Sequence, residues 1–313
     1  MGKYLEDLTL RLARGAGALD EATRARHTRY FLSAQQPDGG FAGREGGSDL
    51  YYTSFGMRGL SILGELYGER AERSAAFIRS KMTGRESIVD FLSLIYAGKL
   101  LEISAGIDVF AGAAPNWREA IGEALGKLRR PDGGYAKGEE GVASSTYHTF
   151  LVLLCLELLE LPLPDPQQVT EFLLSMRAPD GGFREIRVGK RAGANPTAAA
   201  IGALRILGTL SEEIADETVG YLLDMQSDDG GFLANTRIPF SDLLSTFTGL
   251  LTLIDLQGED ELDLVRLERF VRSMEIEEGG FRGAELDPAH DVEYGFYGLG
   301  ALCLLAERNA PAE

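Results

Sequence analysis

A short glycine–aromatic motif recurs along this chain at nearly constant spacing. Such a recurrence restricts the chain to architectures made from copies of one unit. The copies read Pro37-Asp38-Gly39-Gly40-Phe41, Pro131-Asp132-Gly133-Gly134-Tyr135, Pro179-Asp180-Gly181-Gly182-Phe183, Asp228-Asp229-Gly230-Gly231-Phe232 and Glu277-Glu278-Gly279-Gly280-Phe281. Their first glycines fall at 39, 133, 181, 230 and 279, so the steps are 94, 48, 49 and 49. The first step is a double one, which places a degraded sixth copy at Thr83-Gly84-Arg85-Glu86. Six units of about 48 residues result, near 20–64, 68–102, 116–160, 165–209, 211–257 and 260–306. The motif also accounts for the glycine excess, 39 of 313 residues against a usual share of about 7%.

Each unit has two helical parts. An amphipathic stretch precedes Gly-Gly, as at 22–36, 117–130, 167–177, 212–226 and 262–274, with apolar residues at spacings of three and four. Asp-Gly-Gly is expected to stop that helix, with glycine as a left-handed C-cap. The following aromatic is expected to plug the seam between units. After a loop comes a far more apolar helix, at 50–63, 91–101, 147–159, 196–207, 243–256 and 292–305, suited to an interior. Twelve helices in six hairpins predict an all-α fold, an α6/α6 toroid barrel forming a single domain over 1–313. Periodicity alone also allows an open solenoid.

Composition narrows the function. With 31 basic and 48 acidic residues the net charge is −17, so nucleic acid and anionic membrane are poor partners. The longest apolar run, 150–163, is interrupted by Glu157, Glu160 and Pro162, and no membrane span is predicted. The N-terminal residues lack a signal-peptide core, and Cys155 and Cys303 form no disulfide framework, so a cytoplasmic location is expected.

Gln35-x-x-x-Gly39-x-Phe41 and Gln226-x-x-x-Gly230-x-Phe232 resemble the repeat of protein prenyltransferase β-subunits and the related motif of squalene-hopene and oxidosqualene cyclases. The resemblance covers residues 20 to 308. It implies an α/α barrel whose central funnel holds an isoprenoid with its diphosphate at the mouth. It also implies a prenyl diphosphate ligand and leaves open a helical α-subunit-like partner. The family's zinc ligands map onto Asp242, Leu244 and Tyr294, so one of three is retained. The zinc site is therefore expected to be degenerate, with no metal ligand assigned. An all-carboxylate site would favour magnesium. The cyclases' Asp-rich proton-donor motif, DxDD, does not occur.

Aligned units put Asp49, Asp90, Asp242 and Asp291 at one rim position, with Glu293 two residues further in. Aspartate before an apolar helix is a favoured N-cap, which competes with a catalytic role for each. Asn195-Pro196 reads as another helix start. Glu293 lies past the cap, where a buried carboxylate needs a partner, a proton or a metal. Asp242, Asp291 and Glu293 are the candidate acids, bases or ligands. Arg184, Arg187, Lys190 and Arg191, with Arg237, are candidates for holding a diphosphate. Asp49, Tyr52, His148 and Tyr294 complete the candidate substrate-binding set. His27 reads as structural and His290 as exposed.

Three functions fit these residues. The first is an isoprenoid enzyme of the prenyltransferase or terpene-cyclase kind. The second is a non-catalytic barrel that carries a hydrophobic ligand or acts as a scaffold. The third, glycan processing by paired carboxylates, is disfavoured by the Gly-Gly-Phe repeat and the apolar inner helices.

Overall fold

The computed structural model describes residues 3–82 and 87–309, so the degraded motif at 83–86 lies outside the described residues. Helix α1 (Tyr4–Ala18) precedes the repeats. Six helix pairs follow: α2 (Glu21–Ala34) with α3 (Leu50–Ile62), α4 (Gly68–Lys81) with α5 (Ile88–Ala105), α6 (Trp117–Gly126) with α7 (Thr146–Leu159), α8 (Pro166–Ser175) with α9 (Ala194–Leu207), α10 (Glu212–Leu223) with α11 (Leu243–Leu256), and α12 (Leu264–Ser273) with α13 (Val292–Asn309). Three antiparallel two-stranded hairpins join some of them: β1 (Phe41–Ala42) with β2 (Ser48–Asp49), β3 (Phe232–Leu233) with β4 (Ser241–Asp242), and β5 (Arg282–Ala284) with β6 (Asp287–His290). The contacts divide the chain into unit 1, residues 1–113 with 264–313, and unit 2, residues 114–263.

The second helix of each pair is apolar because both its sides are covered. In α7, ten residues from Thr146 to Leu159 are buried. The first helix buries a stripe only: in α12, Leu267, Phe270 and Val271. Helix α1 starts before the first repeat, and the repeat pattern does not announce it. It buries Leu5, Leu12, Gly15 and Ala16, and it packs along α13. A methyl group on Gly15 would fall 2.0 Å from the Cys303 carbonyl oxygen, so only glycine lets these backbones approach.

The Gly-Gly motif does not cap the outer helix, contrary to expectation. Helix α2 ends at Ala34, before the motif. Gln35 turns extended and bridges Phe41, and Gly39 (φ +88°) closes the turn between them. The same bridge joins Arg129 to Tyr135, Arg177 to Phe183, Gln226 to Phe232 and Glu275 to Phe281. The preceding aspartate fixes the turn: Asp38 Oδ1 accepts from Gly40 N at 3.0 Å and from Ser48 Oγ at 2.9 Å. Asp132 and Asp229 repeat both bonds.

Packing explains why both residues are glycine. Side-chain methyls on Gly39, Gly133 and Gly181 would lie 2.2, 2.3 and 2.4 Å from carbonyl oxygens of Arg73, Gln168 and Glu217, on the following outer helix. The second glycine faces an aromatic of that same helix: Gly40 meets Phe77, Gly134 meets Phe172 and Gly182 meets Tyr221. Within unit 1 the last motif makes these contacts with the first outer helix, Gly279 against Arg26 and Gly280 against Tyr30. His27 on that helix is fully buried, stacks on Phe281 at 4.7 Å and accepts from Gly280 N, a structural role.

The motif aromatic packs on its own repeat's inner helix, and Phe281 also meets the adjoining repeat through His27. Phe41, Phe232 and Phe281 press on Gly56, Gly249 and Gly298. In four repeats the aromatic's backbone N–H donates to a buried threonine one turn into that helix. Phe41 uses Thr53, Tyr135 uses Thr149, Phe183 uses Thr197 and Phe232 uses Thr246, at 2.9 to 3.0 Å. Thr246→Val keeps the shape but leaves the Phe232 N–H buried without an acceptor. A loss of about 1–3 kcal/mol in denaturant unfolding is expected. An unchanged unfolding midpoint would contradict this role for the threonine.

Candidate functional site

The hairpin loops deliver side chains to the N-terminal ends of the inner helices. Three of the four rim aspartates are N-caps. Asp49 accepts from Tyr52 N at 2.8 Å, Asp242 from Ser245 N at 2.7 Å, and Asp291 from Glu293 N and Tyr294 N at 3.0 Å each. Asp90 departs from the alignment: Ser87 caps α5, and Asp90 accepts from the Ser87 hydroxyl at 2.8 Å. Asn195 also departs. Helix α9 begins at Ala194 with Gly193 as its cap, and the Asn195 amide oxygen accepts from Thr248 Oγ1.

In unit 1 a compact polar cluster surrounds the starts of α3 and α13. Buried Asp291 holds Arg44 through Oδ2 and Nε at 3.0 Å, and Arg44 also pairs with Asp287 at 2.6 Å. The Arg44 guanidinium lies 5.3 Å from the centre of the Tyr294 ring. Glu293 points past this pair, and the Tyr51 hydroxyl donates to it at 2.6 Å. Burial pushes the Glu293 carboxyl above its usual range, and the charge of Asp291 adds to the rise. Hydrogen bonds from Tyr51 and Tyr297 and the nearby Arg58 act in the opposite direction. Burial also raises Asp49, with Asp90 contributing, and raises the Tyr52 hydroxyl. The structure thus gathers the predicted Asp49, Tyr52, Asp291, Glu293 and Tyr294. His290 is exposed, as its loop position suggests.

In unit 2 the predicted basic loop divides. Arg184 is spent on the carbonyls of Met176 and Arg177 at the end of α8. Arg187 is largely exposed and faces Asp132 at 3.7 Å. Lys190 and Arg191 instead join Arg237 in lining a cleft of about 970 Å³, together with Asn195, Asn235 and Thr236. Asp180 and Glu185 lie on its wall. Beyond the cleft, His148 Nδ1 lies 2.7 Å from Ser145 Oγ, whose hydroxyl donates to Glu185 at 2.5 Å. Burial lowers the His148 imidazole and raises the Glu185 carboxyl. Asp242 too is raised by burial, partly offset by its bonds from Ser245.

Sequence reasoning passed over Glu185, Asp287 and Arg58. None follows the rim spacing, because Glu185 sits in a loop, Asp287 on a hairpin strand and Arg58 deeper on a helix. The signal for Glu185 was present: an acid beside four bases in a loop that leads into an inner helix.

Leu244 and Asp242 stand at two positions where the resemblance implies zinc ligands. Leu244 has no ligating atom, and Asp242 spends both oxygens on Ser245. Both cysteines are fully buried, and desolvation raises their thiols far above the usual range. Among the described residues no three His, Cys, Asp or Glu side chains converge as a metal set. Among them, too, no helix is long and apolar enough to cross a membrane.

With this geometry in hand, comparison places the chain. Residues 9–102 and 95–311 match the prenyltransferase alpha-alpha toroid domain, and the chain belongs to that family. It is 28% identical over 157 residues to the geranylgeranyl transferase type-1 subunit beta of Arabidopsis thaliana, covering 46% of this chain and 41% of that one. It is 31% identical over 189 residues to drimenyl diphosphate synthase of Streptomyces showdoensis, covering 58% of this chain and 35% of that one. It thus spans less than half the length of either. Candida albicans protein geranylgeranyltransferase-I, solved with GGPP, aligns with a TM-score of 0.71 at 17% identity, covering 90% of this chain and 91% of that one. The fold is therefore the helical toroid that the repeats predict.

The Tyr51 bond to Glu293 gives a test of this electrostatic picture. Because the hydroxyl stabilises the carboxylate form, Tyr51→Phe is expected to raise the Glu293 midpoint further. A carbon-13 carboxyl titration reads it directly. A midpoint that stays or falls would show that Tyr51 does not hold the charge.

Proposed function

We propose that this chain binds a prenyl substrate along the apolar inner helices of unit 1 and transforms it by proton transfer from Glu293. The observation that carries this reading is Glu293 itself: a half-buried carboxyl with a raised affinity for its proton, held by a tyrosine hydroxyl among aromatic rings. Protonated Glu293 would donate to a carbon–carbon double bond. The π pair would form the new C–H bond and leave the positive charge on the more substituted carbon. The face of Tyr297 would stabilise such a charge, and the resulting carboxylate keeps its bond from Tyr51. Asp291, tied to Arg44 and to two backbone amides, positions this end of α13 instead of giving up a proton.

In unit 2, Lys190, Arg191 and Arg237 supply the charge that a diphosphate requires, and His148 stands with Ser145 and Glu185 as an acid–base group. The likeness to a geranylgeranyl transferase subunit and to drimenyl diphosphate synthase supports the substrate class. The relatives named as β subunits also support a helical α-subunit-like partner. Leu244 and Tyr294, at two of the three family ligand positions, make the zinc set degenerate in this reading. They are also what favours the second reading, an isoprenoid-binding barrel without catalysis.

The test is incubation with geranylgeranyl diphosphate, followed by phosphatase treatment and gas chromatography–mass spectrometry. A rearranged or cyclised product is expected from the wild type. Glu293→Gln should lose it by at least a hundredfold while retaining binding. Binding without any product would move the assignment to the carrier. Full activity in Glu293→Gln would remove Glu293 as the acid.

A further inference from the structure

Arg58 is treated differently from the other half-buried arginines of unit 1. Arg26 pairs with Glu275, and Arg44 pairs with Asp287 and Asp291. Arg58 has aromatic rings instead. Its guanidinium lies 4.6 Å from the ring centres of both Phe55 and Tyr96, and 5.8 Å from that of Phe296. Its Nε is buried and meets no hydrogen-bond acceptor. Among the described residues no carboxylate comes within ion-pair distance of it. The Tyr96 hydroxyl, which closes one wall, is already engaged by Thr9 and by the Leu5 carbonyl of α1.

A guanidinium with no carboxylate in ion-pair contact is costly in a low-dielectric interior; the charge of Glu293 reaches Arg58 only at longer range, and ring faces offset only part of the cost. Its donors form a planar fork that matches a carboxylate in two parallel bonds. The place in the fold adds direction. Tyr51, Phe55 and Arg58 follow one face of α3 at helical spacing. Arg58 therefore lies about 10 Å further along the helix than Tyr51, at about 1.5 Å per residue. A polar group on Arg58 would sit at one end of an aromatic path with Glu293 at the other.

We propose that Arg58 anchors a carboxylate carried by the ligand of unit 1, so that this site selects an isoprenoid acid over the matching neutral alcohol. This rests on the isoprenoid reading above for the apolar part of the ligand, and on Arg58 alone for the acid group. A diphosphate does not suit the same place, because that charge needs several donors and the rings of Phe55, Tyr96 and Phe296 bring no second cation to Arg58.

The test is calorimetric titration of the full chain with geranylgeranoic acid, geranylgeraniol and decanoate, in wild type, Arg58→Met and Arg58→Lys. The wild type should bind the isoprenoid acid at least tenfold more tightly than the alcohol. Arg58→Met should reduce the acid to the level of the alcohol and leave the alcohol unchanged. Arg58→Lys should keep part of the preference, which guards against a folding defect in the methionine variant. Equal binding of acid and alcohol by the wild type, or an equal loss of both in Arg58→Met, would overturn the anchor and leave the isoprenoid reading standing. Decanoate binding that needs Arg58, with neither isoprenoid bound, would keep the anchor and overturn the isoprenoid. No binding of any of the three would overturn both.

Discussion

The structure depends on how closely the Gly-Gly turns at 39, 133, 181 and 279 approach an adjacent outer helix of the same unit. A carbonyl oxygen lies within van der Waals contact of the first glycine's backbone, and an aromatic ring covers the second. A side chain at either place would push successive repeats apart. The approach also sets the height of the loop that follows. That loop returns to the inner helix with its aspartate or serine in the capping position and its threonine under the motif aromatic. Fold and rim are thus positioned by one local contact, copied along the chain.

This copying separates scaffold from chemistry. Asp49, Asp242 and Asp291 all stand at helix starts, and all accept backbone amides there. Capping accounts for them without any ligand. Glu293 is off that pattern, two residues inside the helix, where burial raises its proton affinity and a tyrosine hydroxyl fixes its direction. The bases divide in the same manner. Arg184 closes the end of α8, whereas Lys190, Arg191 and Arg237 face an open cleft.

Much of the fold was legible because each inner helix is apolar nearly all round and five of the six motif copies are intact. The helix at 243–256 has the bounds its sequence pattern predicts. The outer helices run shorter than their patterns, because the residue at position 35 and its counterparts must leave the helix to bridge the motif aromatic. Helix α1 was missed because it belongs to no repeat. In the site, Glu293 and the cleft cations could be named from position alone. Arg58 could not, since a single arginine on an apolar helix becomes meaningful only when its neighbours in space are known, and the acid Glu185 in its basic loop was a readable signal whose partner Ser145 only the fold reveals.

The proposed function has a prenyl ligand bound without the zinc ligands that the resemblance implies. Calorimetric titration with geranylgeranyl diphosphate, in chelator and in added zinc, measures this most directly. The account predicts saturable binding that is the same in both, and that weakens when Arg191 and Arg237 are replaced by alanine. Absence of binding, or binding that appears only with zinc, would contradict it.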